Sequence, residues 1–296
     1  MDIAYDVTVP SRDARGIYLR DVGDMKVSQI AVTVKPKFLR EKSPTVNAER
    51  LKLEINGVLK STQPWVQCPE FAHITSAGRD IPIEVDPSNL PPGLHCAQVL
   101  IHDSSRPHAG TLVSIPITVC KPEKVLPGYS HVAFTGLAFG PGKIDRKFVA
   151  VPHDAQFAEL VVRSLNRPTT SRFFVHLIQL EPHSRYTKHE SDFVFGLGTN
   201  GSVPEDQNVF TKYFPVLPGV TLEVCLAQFW SSIGESNVDV EIKFHGVGLK
   251  AGEIVLNSGN NGIQRVDLAV SLRKEEVSPS VSLGSFHRFP FSAQAP

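Results

Sequence analysis

The chain has 296 residues, and its 30 Lys+Arg balance 30 Asp+Glu to a formal net charge of zero. That balance argues against a nucleic-acid or anionic-membrane partner, because either draws a basic excess. With 41% hydrophobic and 20% charged residues the composition is that of a folded globular protein, and the length fits two domains of roughly 100–170 residues each.

Met1 to Pro10 alternates as a strand does, and it lacks the apolar run of a secretion signal. No stretch reaches the ~20 apolar residues that span a bilayer, so the expectation is a soluble, cytoplasmic chain. Leu51, Leu53 and Ile55 alternate with Lys52 and Glu54, and Ile81, Ile83 and Val85 form a similar run. Successive side chains on a strand point to opposite faces, so such runs predict strands with one wet and one buried face. Residues 95–101 and 111–119 are β-branched and apolar between turn signals. Further on, Leu222, Val224 and Leu226 alternate, as do Val238, Val240, Ile242 and Phe244 with Asp239, Glu241 and Lys243. Val266, Leu268, Val270 and Leu272 make the last run.

Pro91-Pro92-Gly93, Pro127-Gly128, Pro141-Gly142 and Pro218-Gly219 each precede a new apolar run. Proline fixes φ and glycine admits positive φ, so these pairs are turns. The 23 prolines and 21 glycines are spread along the chain, which long helices do not tolerate. Short helical turns are expected only at 40–50 or 187–195. The fold class is all-β.

Lys121-Pro122-Glu123-Lys124-Val125-Leu126-Pro127-Gly128 reads as an exposed linker, mixing charge with two prolines. Residues 1–122 then hold about seven strands, the proportions of an immunoglobulin- or fibronectin III-like sandwich with Trp65 as its buried aromatic. Residues 129–296 hold about eight or nine strands and fit a jelly-roll, galactose-binding-like sandwich. Residues 273–296 lose the alternation and read either as a returning strand or as a stub of a following domain.

Chemistry is sparse. Cys68, Cys96, Cys120 and Cys225 form no close pair, so buried thiols are expected rather than disulfides. No G-x-S-x-G elbow occurs, and Gly198-Thr199-Asn200-Gly201-Ser202 reads as a glycine-rich turn. His183 with His189, and Cys68 with His73, lack the second pair that completes a tetrahedral metal site. His102 reads as a solvated strand histidine. Asp86 and Asp103 lack clustered calcium ligands, and Gly196-x-Gly198 lacks the context of a phosphate loop. No catalytic, metal or cofactor residue is predicted. Trp230, after Phe229, is the one candidate for an outward-facing aromatic that stacks on a sugar, with core packing the commoner role.

Several phrases in collinear order resemble the tripeptidyl-peptidase II family. They are Arg15-Gly16-Ile17-Tyr18-Leu19-Arg20-Asp21, Trp65-Val66-Gln67-Cys68-Pro69, Ile83-Glu84-Val85-Asp86-Pro87, and Pro92-Gly93-Leu94-His95. Leu137-Ala138-Phe139 with Pro141-Gly142, Phe214-Pro215-Val216-Leu217, Phe244-His245-Gly246, and Arg265-Val266-Asp267 to Ser271-Leu272 continue the series. The resemblance implies a central region of a large cytosolic serine exopeptidase of the subtilisin type. That family trims tripeptides from free N-termini of oligopeptides, downstream of the proteasome. It further implies three partners: the family's own catalytic domain, its C-terminal region, and further copies in a large homo-oligomer. The family's triad and oxyanion motifs match nothing here, so no catalytic residue carries over. On this resemblance Arg15, Tyr18, Arg20 and Asp21 are expected near the junction with the catalytic domain, Arg20 bracing a carboxylate there. The alternative is a stand-alone carbohydrate-binding or immunoglobulin-like adhesion module.

Overall fold

A computed structural model describes residues 3–11, 14–39, 48, 50–125, 130–165, 171–181, 184–197, 208–232, 234–249 and 267–271. Two β-sandwiches follow one another. In the first, one sheet has the order β1 (Ile3–Thr8), β3 (Ser28–Phe38), β7 (Arg79–Val85), β5 (Val66–Gln67). Its partner sheet runs β2 (Ile17–Leu19), β9 (Thr111–Lys121), β8 (Gly93–Asp103), β4 (Glu54–Ser61), β6 (Phe71–Thr75). All pairings are antiparallel except β2 with β9. The predicted alternation is visible as burial. Ile81, Ile83 and Val85 on one sheet and Val113, Ile115, Ile117 and Val119 on the other point inward into one core. Trp65 is only half-buried and packs against the edge of that core.

The second sandwich joins a sheet ordered β10 (Glu123–Lys124), β12 (Ile144–Ala150), β17 (Thr221–Gln228), β14 (Ser171–Gln179), β15 (Glu190–Leu197) to a second one. That second sheet runs β11 (His131–Phe139), β18 (Ser236–Leu249), β13 (Ala155–Ser164), β16 (Val209–Pro215), with β19 (Leu268–Ser271) also on β18. Its core sets five buried phenylalanines among aliphatic residues, where the buried residues of the first are all aliphatic. Phe139 meets Phe173 edge-on at 5.6 Å, and Phe195 lies between Phe173 and Phe210, 3.8 Å from the latter. Such pairs add orientation to simple burial. The two cores are separate clusters.

Three details differ from the sequence expectations. Of the turn expected at 187–195, only Tyr186–His189 is helical, as a 3-10 turn, and the chain then enters β15. The segment read as an exposed linker contains a strand: Glu123 and Lys124 pair in parallel with Val149 and Ala150, and Pro122 is buried. Proline has no N–H to leave unpaired there. Only Cys120 of the four cysteines is buried, although all four are free. The loop Gly198–Ser202, His183 and residues 273–296 lie outside the described residues.

A candidate functional site where the two sandwiches meet

The segment Arg15–Asp21 carries two programmes on alternating residues. Gly16 has φ of +124°, and a Cβ there would stand 2.7 Å from the carbonyl oxygen of Pro116. Glycine alone lets the chain approach so closely with positive φ, and it brings β2 alongside β9. Ile17 and Leu19 then drop into the first core. Tyr18 and Arg20, of opposite parity, share the outer face, as the strand period of two requires.

On that face Arg20 is 5% exposed. Its Nη1 donates to the Tyr18 hydroxyl at 3.2 Å and to Glu223 Oε2 of β17, in the second sandwich, at 3.1 Å. The other carboxylate oxygen of Glu223 lies 3.6 Å from Arg146 Nη1 of β12. The Arg20 carbonyl accepts from the Thr221 hydroxyl at 3.0 Å, and the Arg20 N–H donates to Asp24 Oδ2 at 3.3 Å. The guanidinium carbon stands 6.0 Å from the centroid of the Phe148 ring.

Phe148 is 4% exposed and Cys120 2% exposed, yet neither belongs to either sandwich core. They are covered because the outer faces of the two sandwiches meet, with β12 lying against β8. Cys120 donates to the Tyr18 hydroxyl at 3.7 Å. Burial pushes the Tyr18 hydroxyl and the Cys120 and Cys225 groups up from their ordinary pKa values, against the pull of the nearby arginines. These groups therefore stay neutral at physiological pH, and Glu223 holds its ion pairs with Arg20 and Arg146 beside them. A buried ion pair of this kind contributes little net stability against an apolar replacement, and its best-attested use is to fix one arrangement.

The four residues expected near the junction with the catalytic domain separate, and the carboxylate that Arg20 meets belongs to the second sandwich. Tyr18 and Arg20 are brought together at the seam. Asp21 is half-buried and begins the turn that leads to Asp24, whose N–H donates to its carbonyl at 2.9 Å. Arg15 is exposed and lines a shallow groove of about 430 Å³ with Asp6, Thr8, Val9, Pro10 and Ala14. Sequence reasoning missed Glu223, Thr221, Arg146 and Phe148. The only available signal was the outward parity of Glu223 between Leu222 and Val224, which any solvated strand residue shares.

Elsewhere, among the described residues, no group of three or more His, Cys, Asp or Glu could hold a metal ion. Among the described residues, no helix is long and apolar enough to cross a membrane. His176 Nε2 lies 2.7 Å from Glu190 Oε1 as a cross-strand pair. Trp230 is 81% exposed, in the turn that follows β17.

A family model described as tripeptidyl-peptidase II, first Ig-like domain, matches residues 3–120. A second, described as the galactose-binding domain-like part of the same protein, matches residues 139–234. Tripeptidyl-peptidase 2 of Arabidopsis thaliana is 33% identical over 295 residues, covering 96% of this chain and 20% of the relative. Its counterpart from Oryza sativa subsp. japonica is 34% identical over 281 residues, covering 93% of this chain and again 20% of the relative. A solved structure, the crystal structure of tripeptidyl peptidase 2, superposes with a TM-score of 0.73 at 30% identity. That superposition covers 83% of this chain and 20% of the other. The chain therefore spans about a fifth of the length of the relatives it matches.

Proposed function

Because the chain belongs to the tripeptidyl-peptidase II family, as the part that carries its first immunoglobulin-like and its galactose-binding-like domains, we propose that it is a non-catalytic scaffold within a longer peptidase. The longer protein is, on this reading, a cytoplasmic serine exopeptidase of the subtilisin type that releases tripeptides from free N-termini of oligopeptides. The segment supports its catalytic domain, joins it to the C-terminal region and contributes to a homo-oligomer. The observation that carries this reading is the ordered pair of domain matches on one chain. The seam adds to it, since when closed it sets one angle between the two sandwiches, as a support requires. Arg15, the exposed part of Tyr18 and Asp21 form the surface offered to the catalytic domain. Arg20 acts behind them, as a positioning residue that holds β2 to the second sandwich through Glu223.

Two measurements test this. The chain alone is mixed with a fluorogenic tripeptide bearing a free amino terminus, and separately with a serine-reactive fluorophosphonate. Neither turnover nor labelling is expected, and turnover would overturn the non-catalytic reading. In the full-length protein, Arg20→Glu is expected to lower tripeptide release and shift the assembly to smaller species in sedimentation. Unchanged activity and size would refute the supporting role. One observation favours the stand-alone carbohydrate-binding alternative, the exposed Trp230. Saturable quenching of its fluorescence by an oligosaccharide would establish that role, and no quenching is expected.

A further inference from the structure

We propose that the seam is a latch: the two sandwiches part and re-close there while each stays folded. This stands independently of the peptidase reading. Each sandwich has its own core, and no buried residue of one core cluster belongs to the other. Outside those cores, the side-chain hydrogen bonds described between them are the Arg20 pair with Glu223 and the Thr221 contact to the Arg20 carbonyl, beside the covered Phe148 and Cys120. Elements held by few apolar contacts are the ones that open below the global unfolding free energy.

The pairing of Arg20 supplies the second argument. Both hydrogens of Nη1 are used, but Nε and Nη2 are buried without a hydrogen-bond partner among the described residues. A guanidinium taken out of water with donors left over loses much of what its ion pair gains. The closed seam is thus specific in geometry and weak in free energy. Opening returns all five guanidinium donors to water.

Glu223 is not stranded when that happens. Arg146, which is 56% exposed, already lies 3.6 Å from its second carboxylate oxygen. It keeps the carboxylate while Arg20 leaves with the first sandwich. One carboxylate between a buried and an exposed arginine therefore gives two paired states, closed and open.

Cys120 reports the opening directly, because the seam covers its thiol. The experiment replaces Cys68, Cys96 and Cys225 by serine, so that Cys120 is the one thiol. Its reaction with DTNB is followed at urea concentrations below the unfolding transition, with global unfolding measured by far-UV circular dichroism. The latch predicts labelling about tenfold or more faster than global unfolding allows, with little dependence on urea. Glu223→Gln, nearly isosteric and located in the other sandwich, is expected to raise the rate by about ten- to a hundredfold. Phe148→Leu gives a second route to the same acceleration should the Glu223 variant fold poorly. Fraying of β9 alone would leave the rate indifferent to Glu223, and that result overturns the proposal. Labelling that follows global unfolding at every urea concentration overturns it as well.

Discussion

Gly16→Ala separates the two reasons for a glycine at the head of β2, provided it is measured beside Gly93→Ala. Both glycines have similar positive φ, +124° and +132°, and both belong to the first sandwich. At Gly93 an added Cβ meets nothing within 4 Å, whereas at Gly16 it meets the Pro116 carbonyl oxygen at 2.7 Å and the Pro116 ring at 2.8 Å. Alanine at positive φ costs about 1–3 kcal/mol in either place. The gain from a stiffer unfolded chain is shared too, so it cancels in the comparison. Only Gly16 carries the steric part. Its new Cβ must move about 0.7 Å to reach ordinary contact, against a backbone atom that sits mid-strand, and overpacking of that kind costs about 1–3 kcal/mol. Urea unfolding of both variants, with slopes compared to exclude a change in the unfolded state, is the assay. Gly93→Ala is expected to lose about 1–3 kcal/mol and Gly16→Ala a further 1–3 kcal/mol. Equal losses would show that close approach of β2 to β9 is not what holds glycine there. The same displacement is expected to draw Arg20 from Glu223, so Gly16→Ala should also speed thiol labelling of Cys120.

Phe173→Ala, at the centre of the second core between Phe139 and Phe195, is expected to cost about 3–5 kcal/mol by urea unfolding. Phe148→Ala is expected to cost clearly less, because a seam that opens relaxes around the gap; equal costs would mark the seam as part of a core. Asp103 accepts the Ser105 N–H at 2.9 Å and Arg106 Nε at 3.0 Å, and the Ser105 bond, with Arg106 beside it, holds its carboxyl below the ordinary value. A depressed folded-state pKa gives stability that is complete above the unfolded carboxyl pKa and is lost as pH falls through the folded one. Stability at stepped pH should therefore hold down to about pH 4 and decline below it, and Asp103→Asn should flatten that decline. Trp230→Ala removes an exposed side chain and is expected to change stability by no more than about 0.5 kcal/mol. It should also remove the red-shifted part of the tryptophan emission, leaving half-buried Trp65; a larger loss would mean that the indole is packed.

The strands were legible where one face is wet, because alternation then writes burial into sequence. Val238 to Phe244 on β18 and Ile81 to Val85 on β7 are such cases. β15 was harder. Its inward row is Phe193, Phe195 and Leu197, but exposed Val194 between them blurs the period. β10 is two charged residues long, and its only claim to be a strand is the neighbour it pairs with. The seam was least legible of all. Tyr18 and Arg20 were singled out by resemblance, but the partner of Arg20 lies 203 residues away. Nothing local to Glu223 distinguishes it from a glutamate facing water. Trp65 was expected inside as the buried aromatic of an immunoglobulin-like sandwich, whereas it is half-buried just before β5, a two-residue edge strand.

The passage from β9 to β10 is a single residue, Pro122. One residue spans about 3.5 Å, so the faces that meet at the seam never diffuse far apart, even when unlatched. A tether that short holds its two ends at effective concentrations of millimolar order or more. The contact between the sandwiches can thus be feeble as an intermolecular affinity and still be closed most of the time. Cut at Pro122 and mixed as separate pieces at micromolar concentration, the two halves would ignore each other. The covalent chain, rather than the ion pair, provides the association, and the ion pair is left to choose the angle.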